Sequence, residues 1–452
     1  MLEDLCGRQV YNLRISVTQE CNQSCMYCHR EGEGERGPRR SEERRVPDSG
    51  DCDSRGLMTA DEIERAARIA ASLGVFKVKF TGGEPLTRMD LPDIIRRVAP
   101  HFRDCSLTTN GTLLAAPPKT CSGRGAGARR SPGAHGEKGE GSAAGGEKGA
   151  GSQASALKAA GLMRVNISLD SLKRGTYRTI TGTDRLDEAL KGVKAAAEAH
   201  LSPVKLNMVL LKGLNEDELP DMMRFAAGNG AILQLIELEG PKGSLSGDWF
   251  SRYHLDLGAI ESEFRSAALK VETRKMHHRS KYHMKIGCGL DVEVEVVRPV
   301  HNSEFCANCT RLRLSSEGML VPCLFRRDLA VDLLGPMRKG ASDRELRRLF
   351  IESVSRREPY WKGDVAVGRP RKLRGNSTVQ LSSASKGKLG YSFDTTRKLR
   401  GNSTVQLSSA SKGKRVSTFD ASKSGRRAVA NEKPATMKSA PRSAWSIRPK
   451  PE

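Results

Sequence analysis

The chain has 452 residues, of which 76 are Lys or Arg and 53 are Asp or Glu, a formal net charge of +23; only 37% are hydrophobic and 5% aromatic. That length allows two or three domains, but the apolar share is below the usual ~45–50%, so part of the chain stays outside any packed core. No run of about 18 apolar residues occurs, so no transmembrane helix is expected, and the start, with Glu3 and Asp4, reads as neither a secretory signal nor a transit peptide.

The charge is unevenly spread. Residues 363–452 hold 20 Lys/Arg against 5 Asp/Glu, so most of the basic excess sits in the last fifth of the chain. Neither a nucleic-acid nor a membrane partner is expected from it. A cytoplasmic, reducing location follows, and there clustered cysteines mean metal or catalysis rather than disulfides.

The first expected strand is 12–18, followed after a charged, Gly- and Pro-containing insert (34–56) by a helix from Thr59 to about Leu73. Thr59 and Glu62 form a capping box, and Gly74 stops the helix. Strands are expected at 77–81, 105–109, 164–169, 204–210 and 232–238. Helices are expected near 90–99, 154–160, 187–199, 216–228 and 257–269. A second insert, 117–155, has eleven Gly and no aliphatic residue larger than Ala. Neither insert can offset its ordering entropy by burial. The tail from 363 is polar and repeats RKLRGNSTVQLSSASKGK at 371–388 and 397–414. Six strand–helix units imply parallel strands with crossover helices.

Buried parallel strands usually read as unbroken apolar runs. Four of these alternate instead. Leu13, Ile15 and Val17 oppose Arg14, Ser16 and Thr18; Val78 and Phe80 oppose Lys77, Lys79 and Thr81. Val165, Ile167 and Leu169 oppose Asn166, Ser168 and Asp170; Val204, Leu206 and Met208 oppose Lys205 and Asn207. One solvent-facing strand would be ordinary. Four point to a curved sheet around a polar, cationic cavity that takes an anion.

Cys21, Cys25 and Cys28 form a C-x3-C-x2-C array just after the first strand. Three thiolates in eight residues can hold one face of a cubane and leave one iron open to a substrate. Zinc would need a fourth ligand, for which His29 is badly placed. Cys306, Cys309 and Cys323 form a second set across a hairpin; here zinc with His301 is an open alternative. Cys6, Cys52, Cys105, Cys121 and Cys288 lack metal-like spacing. Gly82-Gly83-Glu84-Pro85 follows the second strand, and Arg311 and Arg313 follow the second cysteine pair.

Together, C-x3-C-x2-C with Tyr27 before its last Cys and the Gly-Gly-Glu-Pro turn resemble the radical S-adenosylmethionine (SAM) enzymes. C-x2-C-x13-C with Arg-Leu-Arg is similar to the GTP 3',8-cyclases of molybdenum cofactor biosynthesis. The match covers roughly 11–33, 57–116 and 156–362. It implies an α/β fold: a partial (β/α)6 TIM-type barrel over 1–245, an auxiliary-cluster region over 246–362, and a disordered basic tail over 363–452.

The resemblance implies two [4Fe-4S] clusters, held by Cys21, Cys25 and Cys28 and by Cys306, Cys309 and Cys323. SAM would be bound by Tyr27, Gly82, Gly83, Glu84, Ser168 and Glu239. GTP would meet Arg14, Lys79, Thr108, Lys205, Arg311 and Arg313, of which Lys205, Arg311 and Arg313 would serve catalysis. In such a lyase, one-electron cleavage of SAM gives a 5'-deoxyadenosyl radical. That radical takes hydrogen from ribose C3', the C3' radical closes onto guanine C8, and reduction by one electron with uptake of a proton gives (8S)-3',8-cyclo-7,8-dihydroguanosine 5'-triphosphate. Implied partners are a reductant such as flavodoxin or ferredoxin, a cyclic pyranopterin monophosphate synthase that takes the product, and a second copy in a homodimer. Two positions depart from the family pattern. Glu239 stands where a Met usually covers SAM, and Lys450-Pro451-Glu452 stands in place of a terminal Gly-Gly.

Three other readings compete. One is a peptide-modifying radical SAM enzyme with an auxiliary cluster, and another is a cluster-binding homologue without activity. The third is a zinc-containing nucleic-acid-binding protein using the basic tail.

Overall fold

The computed structural model of the chain describes residues 2–29, 56–118, 151–287 and 289–361. Most of both inserts, Cys52, Cys121, Cys288, and the whole tail with its repeats and terminal residues lie outside the described residues.

A short hairpin of β1 (Leu2–Glu3) and β2 (Gln9–Val10) opens the fold. Then come β3 (Asn12–Ser16), α1 (Ala60–Ser72), β4 (Lys77–Thr81), α2 (Leu91–Val98), β5 (Asp104–Thr109), α3 (Gln153–Ala159) and β6 (Arg164–Ser168). They are followed by α4 (Arg174–Thr181), α5 (Leu186–Glu198), β7 (Val204–Leu210), α6 (Leu219–Gly228) and β8 (Ile232–Glu237). All six expected strands are present. The capping box of α1 forms as expected, with Thr59 accepting from the Glu62 N–H and Glu62 returning a bond to the Thr59 N–H.

Sequence reading missed α4. Its sequence, RGTYRTIT, has a Gly and three Thr and reads poorly as a helix. Packing of Tyr177, Ile180 and Thr181 holds it together, and Gly182 ends it in a left-handed conformation, φ 70°.

The rest of the described chain adds α7 (Asp248–Tyr253), α8 (Gly258–Ala267), β9 (Lys270–Thr273), β10 (Ser280–Ile286) and β11 (Leu290–Val297). Next are α9 (Ser303–Ala307), β12 (Arg311–Leu314), β13 (Met319–Val321), β14 (Val331–Asp332), α10 (Leu334–Arg338) and α11 (Asp343–Ser355). One sheet has the order β14-β13-β12-β3-β4-β5-β6-β7-β8-β11-β10-β9. The strands β3 to β8 run parallel in chain order. The late strands extend this parallel run at both edges, β12 beside β3 and β11 beside β8.

The alternation in sequence has its physical cause here. Leu13, Ile15, Val78, Phe80, Val165, Ile167, Leu206 and Met208 are fully buried against the helices. Each contributes roughly 1.5–3 kcal/mol by leaving water. Their polar neighbours turn the other way. Residues from β12, β3 to β8 and β11 all line one cavity of about 910 Å³, so the sheet curls around it as a partial barrel.

Candidate active site

The register of three neighbouring strands sets Arg313, Arg14 and Lys79 side by side. Arg311, Thr108, Asn166, Ser168, Lys205 and Asn207 line the same cavity. Like charges crowded here disturb one another. Lys79 is held well below the usual lysine range by burial, then by Arg14, Arg164, Arg311 and Lys205. Burial and the Arg14 and Arg313 charges press on Arg311 in the same direction. A guanidinium does not shed its proton to relieve this, so an incoming anion is the relief available.

One carboxylate offsets part of the charge. Glu295 on β11 is fully buried and pairs with Lys205 at 2.6 Å, Arg274 at 3.3 Å and Arg279 at 3.8 Å. It also accepts from Gln234 Nε2 at 3.0 Å. Burial would raise its carboxyl, but Lys205 and Arg279 pull it down to about 2. Sequence reading missed Glu295 because β11 lay outside the six expected strands.

The loop carrying Cys21, Cys25 and Cys28 is gripped from three sides. From the end of β4, the Gly83 N–H donates to Thr18 O at 2.8 Å and the Glu84 N–H to Glu20 O at 2.7 Å. A Cβ on Gly83 would stand 2.2 Å from Glu20 O, and one on Gly82 would stand 2.5 Å from Thr18 O, so only glycine permits this approach. From the end of α4, Thr181 O and Ile180 O accept from the Ser24 and Met26 N–H groups, both at 2.9 Å. From the end of β5, Asn110 Nδ2 donates to Asn22 Oδ1 at 2.7 Å.

Glu84 itself faces protein partners. It accepts from Thr109 Oγ1 at 2.7 Å, the Asn110 N–H at 2.7 Å and the Leu86 N–H at 3.0 Å. Burial nevertheless pushes its carboxyl up to about 7. Gly82, Gly83 and Glu84 are thus placed at the base of the cysteine loop, outside the lining of the large cavity.

Tyr27, Ser168 and Glu239 do line it. Tyr27 donates its hydroxyl proton to Asp170 Oδ2 at 2.5 Å, and Asp170 Oδ1 accepts from the Val209 N–H at 2.8 Å. Asp170, legible only as the polar-face residue after Ser168, fixes this tyrosine. His29 Nε2 lies 3.4 Å from Glu239 Oε1. Burial works to raise the Glu239 carboxyl, but His29, Arg313 and Arg311 outweigh it and hold it below the usual range.

The second set flanks β12, the strand that pairs with β3. Cys306 is on α9, Cys309 precedes β12 and Cys323 follows β13, as the hairpin reading anticipated. Arg8 Nη1 donates to Cys306 O at 2.8 Å, and Arg357 Nη2 donates to Cys309 O at 2.7 Å. Both guanidiniums pair with the buried Asp4, at 2.8 and 3.0 Å. The N-terminal hairpin, which carried no motif, therefore helps position the carbonyls of both cysteines.

Among the described residues, no set of three or more His, Cys, Asp or Glu is arranged to hold a single metal ion. The donor chemistry fits a larger cluster with thiolate ligands. Cys25 is driven up by burial, then by Asp170, Cys28 and Cys21, so these thiols feel one another closely. Burial raises Cys306 and Cys323; on Cys309 it is outweighed by Arg357 and Arg311. Thiols crowded and buried in this way become stable thiolates when they bind iron. His29 Nε2 lies beside Glu239, and the His301 ring packs against Trp361 with centroids 4.4 Å apart.

Comparison with known proteins agrees with this geometry. The family described as "Radical SAM superfamily" matches residues 15–121 and 145–226, and "Molybdenum Cofactor Synthesis C" matches 231–363. A "Probable GTP 3',8-cyclase" of Pyrococcus horikoshii is 46% identical over 361 residues, 80% of this chain and 98% of the relative. This chain belongs to the GTP 3',8-cyclase family. Relatives of the same printed name from Thermococcus kodakarensis and Methanothermobacter thermautotrophicus are 43% and 40% identical, each over 80% of this chain and 100% and 99% of their own. Among solved structures, Streptococcus suis SuiB superposes with a TM-score of 0.43 at 16% identity, over 70% of this chain and 60% of that one.

The grip on the first cysteine loop, at the Gly-Gly turn this family member carries, is testable. Gly83→Ala should cut the iron of the reconstituted chain from about eight to about four atoms, by loss of one [4Fe-4S] cluster. Full iron content in that variant would show that the contact does not set the loop.

Proposed function

We propose that the chain is a GTP 3',8-cyclase, a radical SAM lyase acting in molybdenum cofactor biosynthesis. One observation carries this reading: a single cavity, lined by Tyr27 and His29 on either side of Cys28 and by all three cysteines of the second set, has a row of crowded cations for its wall. A peptide substrate does not call for such a row, whereas a nucleoside triphosphate does. The names of the relatives agree with it. Among the described residues, no helix is long and apolar enough to cross a membrane.

In this reading residues 1–245 carry the SAM-binding half and 246–362 the second cluster. Cys21, Cys25 and Cys28 would hold one [4Fe-4S] cluster, and Cys306, Cys309 and Cys323 the other. When bound, the clusters and SAM supply the one-electron chemistry that removes a ribose hydrogen and allows closure onto guanine C8.

The chain's own residues bind and orient. Arg14, Lys79 and Lys205 face the triphosphate from the polar strand faces, and Thr108 adds a hydroxyl donor. Arg311 and Arg313 project from β12 beside the second cysteine set, where they fix the nucleotide between the two triads. Tyr27, held by Asp170, and Ser168 shape the SAM side, with Glu239 close to His29. The buried walls keep water from the open-shell reaction. A cytoplasmic setting, a flavodoxin- or ferredoxin-type donor, a cyclic pyranopterin monophosphate synthase downstream and a homodimer belong to the same reading through the family resemblance.

Arg311→Ala should weaken GTP binding about ten- to a hundredfold, the loss of one charge-assisted contact. It should still form 5'-deoxyadenosine from SAM without turning over GTP. Wild-type GTP affinity in this variant, measured by anaerobic equilibrium binding, would remove Arg311 from the site.

Lys205 gives a pH dependence. Burial pushes it down to about 8 against the pull of Glu295, and Arg279 and Arg274 add to the depression; Lys79 is the further cation facing it. Only charged Lys205 pairs with a triphosphate. GTP affinity should therefore be full below about pH 8, fall as pH rises through that value, and be coupled above it to uptake of a proton. Lys205→Met should bind more weakly, with a flatter profile between about pH 7 and 9. An unchanged slope in that variant would contradict the assignment.

A further inference from the structure

His277 lies on the turn between β9 and β10 and lines the cavity while being only 3% exposed. Neither Nδ1 nor Nε2 has a hydrogen-bond partner among the described residues. A buried imidazole with both nitrogens unmet is unfavourable. The backbone adds to that cost, since His277 adopts φ +62° and His278 φ +49°, a left-handed region uncommon for residues other than glycine.

This placement is held from several sides. The His277 N–H donates to Asn308 O at 3.0 Å, on the turn between Cys306 and Cys309. The imidazole stacks on Phe305 with centroids 3.7 Å apart. Asn12 Nδ2 lies 3.9 Å from the sulfur of Met276. The fold thus keeps the ring where it gains no protein partner, which marks it for a ligand.

The surroundings say which part of a ligand. Burial keeps the ring neutral, and Arg311, Arg279, Arg14 and Arg313 reinforce this. Phosphate oxygens in this cavity already have those guanidiniums. A neutral imidazole offers one donor and one acceptor in a fixed plane, the complement of a heterocycle edge. Resting on the reading that GTP is the substrate, we propose that His277 reads the nucleobase: its ring nitrogens hydrogen-bond the purine edge, and Phe305 sets the plane of the ring. A site built to pair a substrate edge discriminates against analogues that lack the match.

The test uses the reconstituted two-cluster protein under anaerobic conditions. Equilibrium binding of GTP, ATP and tripolyphosphate is measured for the wild type, His277→Ala and His277→Gln. His277→Ala should weaken GTP about tenfold, narrow the preference for GTP over ATP, and leave tripolyphosphate affinity unchanged. His277→Gln, which keeps a neutral donor and acceptor, should recover part of the loss and covers the case in which the alanine variant fails to fold. Equal losses for GTP and tripolyphosphate, or GTP affinity and GTP/ATP preference both unchanged, would overturn the proposal. Wild-type protein that binds GTP no better than tripolyphosphate would instead overturn the GTP reading, and the proposal with it.

Discussion

Crowded positive charge around one cavity is the constraint on which this structure turns. Arg14, Lys79, Arg311 and Arg313 share one cavity, and two of them are visibly disturbed by burial and by one another. Such a cluster persists only because something else stabilises the sheet that carries it. The outward faces of the same strands do so, with Leu13, Ile15, Val78 and Phe80 packed dry against the helices. Glu295 relieves the far end of the cluster by pairing with Lys205, Arg274 and Arg279. What charge remains is preorganised for an incoming polyanion and costs no reorganisation when it arrives.

The two cysteine sets use the sheet differently. The first rides on a loop clamped by backbone contacts from the ends of β4, β5 and α4, and glycines make two of these contacts close enough. The second is held through its carbonyls by a buried Asp4–Arg8–Arg357 unit that joins the chain's first residues to the end of α11. Both arrangements fix where the thiols stand before any cluster binds.

Much of this is legible in the sequence. The period-two alternation of β3, β4, β6 and β7 separates polar faces from apolar ones, and by itself puts Arg14, Lys79 and Lys205 on the polar side. Cysteine spacing marks both triads. What is not legible lacks a local signal. A helix such as RGTYRTIT exists because of what it packs on, so propensity misses it. Glu295 becomes interesting only when β11 is seen to pair with β8. Asp4 and Arg8 look like any charged pair until Arg357 joins them across the chain. His277 in Met-His-His-Arg says nothing until both of its nitrogens are found buried and unmet.

A cavity shared by both substrates would bring the 5' carbon of SAM against the ribose of GTP. The direct test is anaerobic incubation of the reconstituted protein with SAM, a reductant and GTP deuterated at ribose C3', followed by mass analysis of the 5'-deoxyadenosine. Transfer of one deuterium is expected, together with a cyclised nucleoside triphosphate. Formation of 5'-deoxyadenosine without deuterium, at a rate indifferent to GTP, would contradict it.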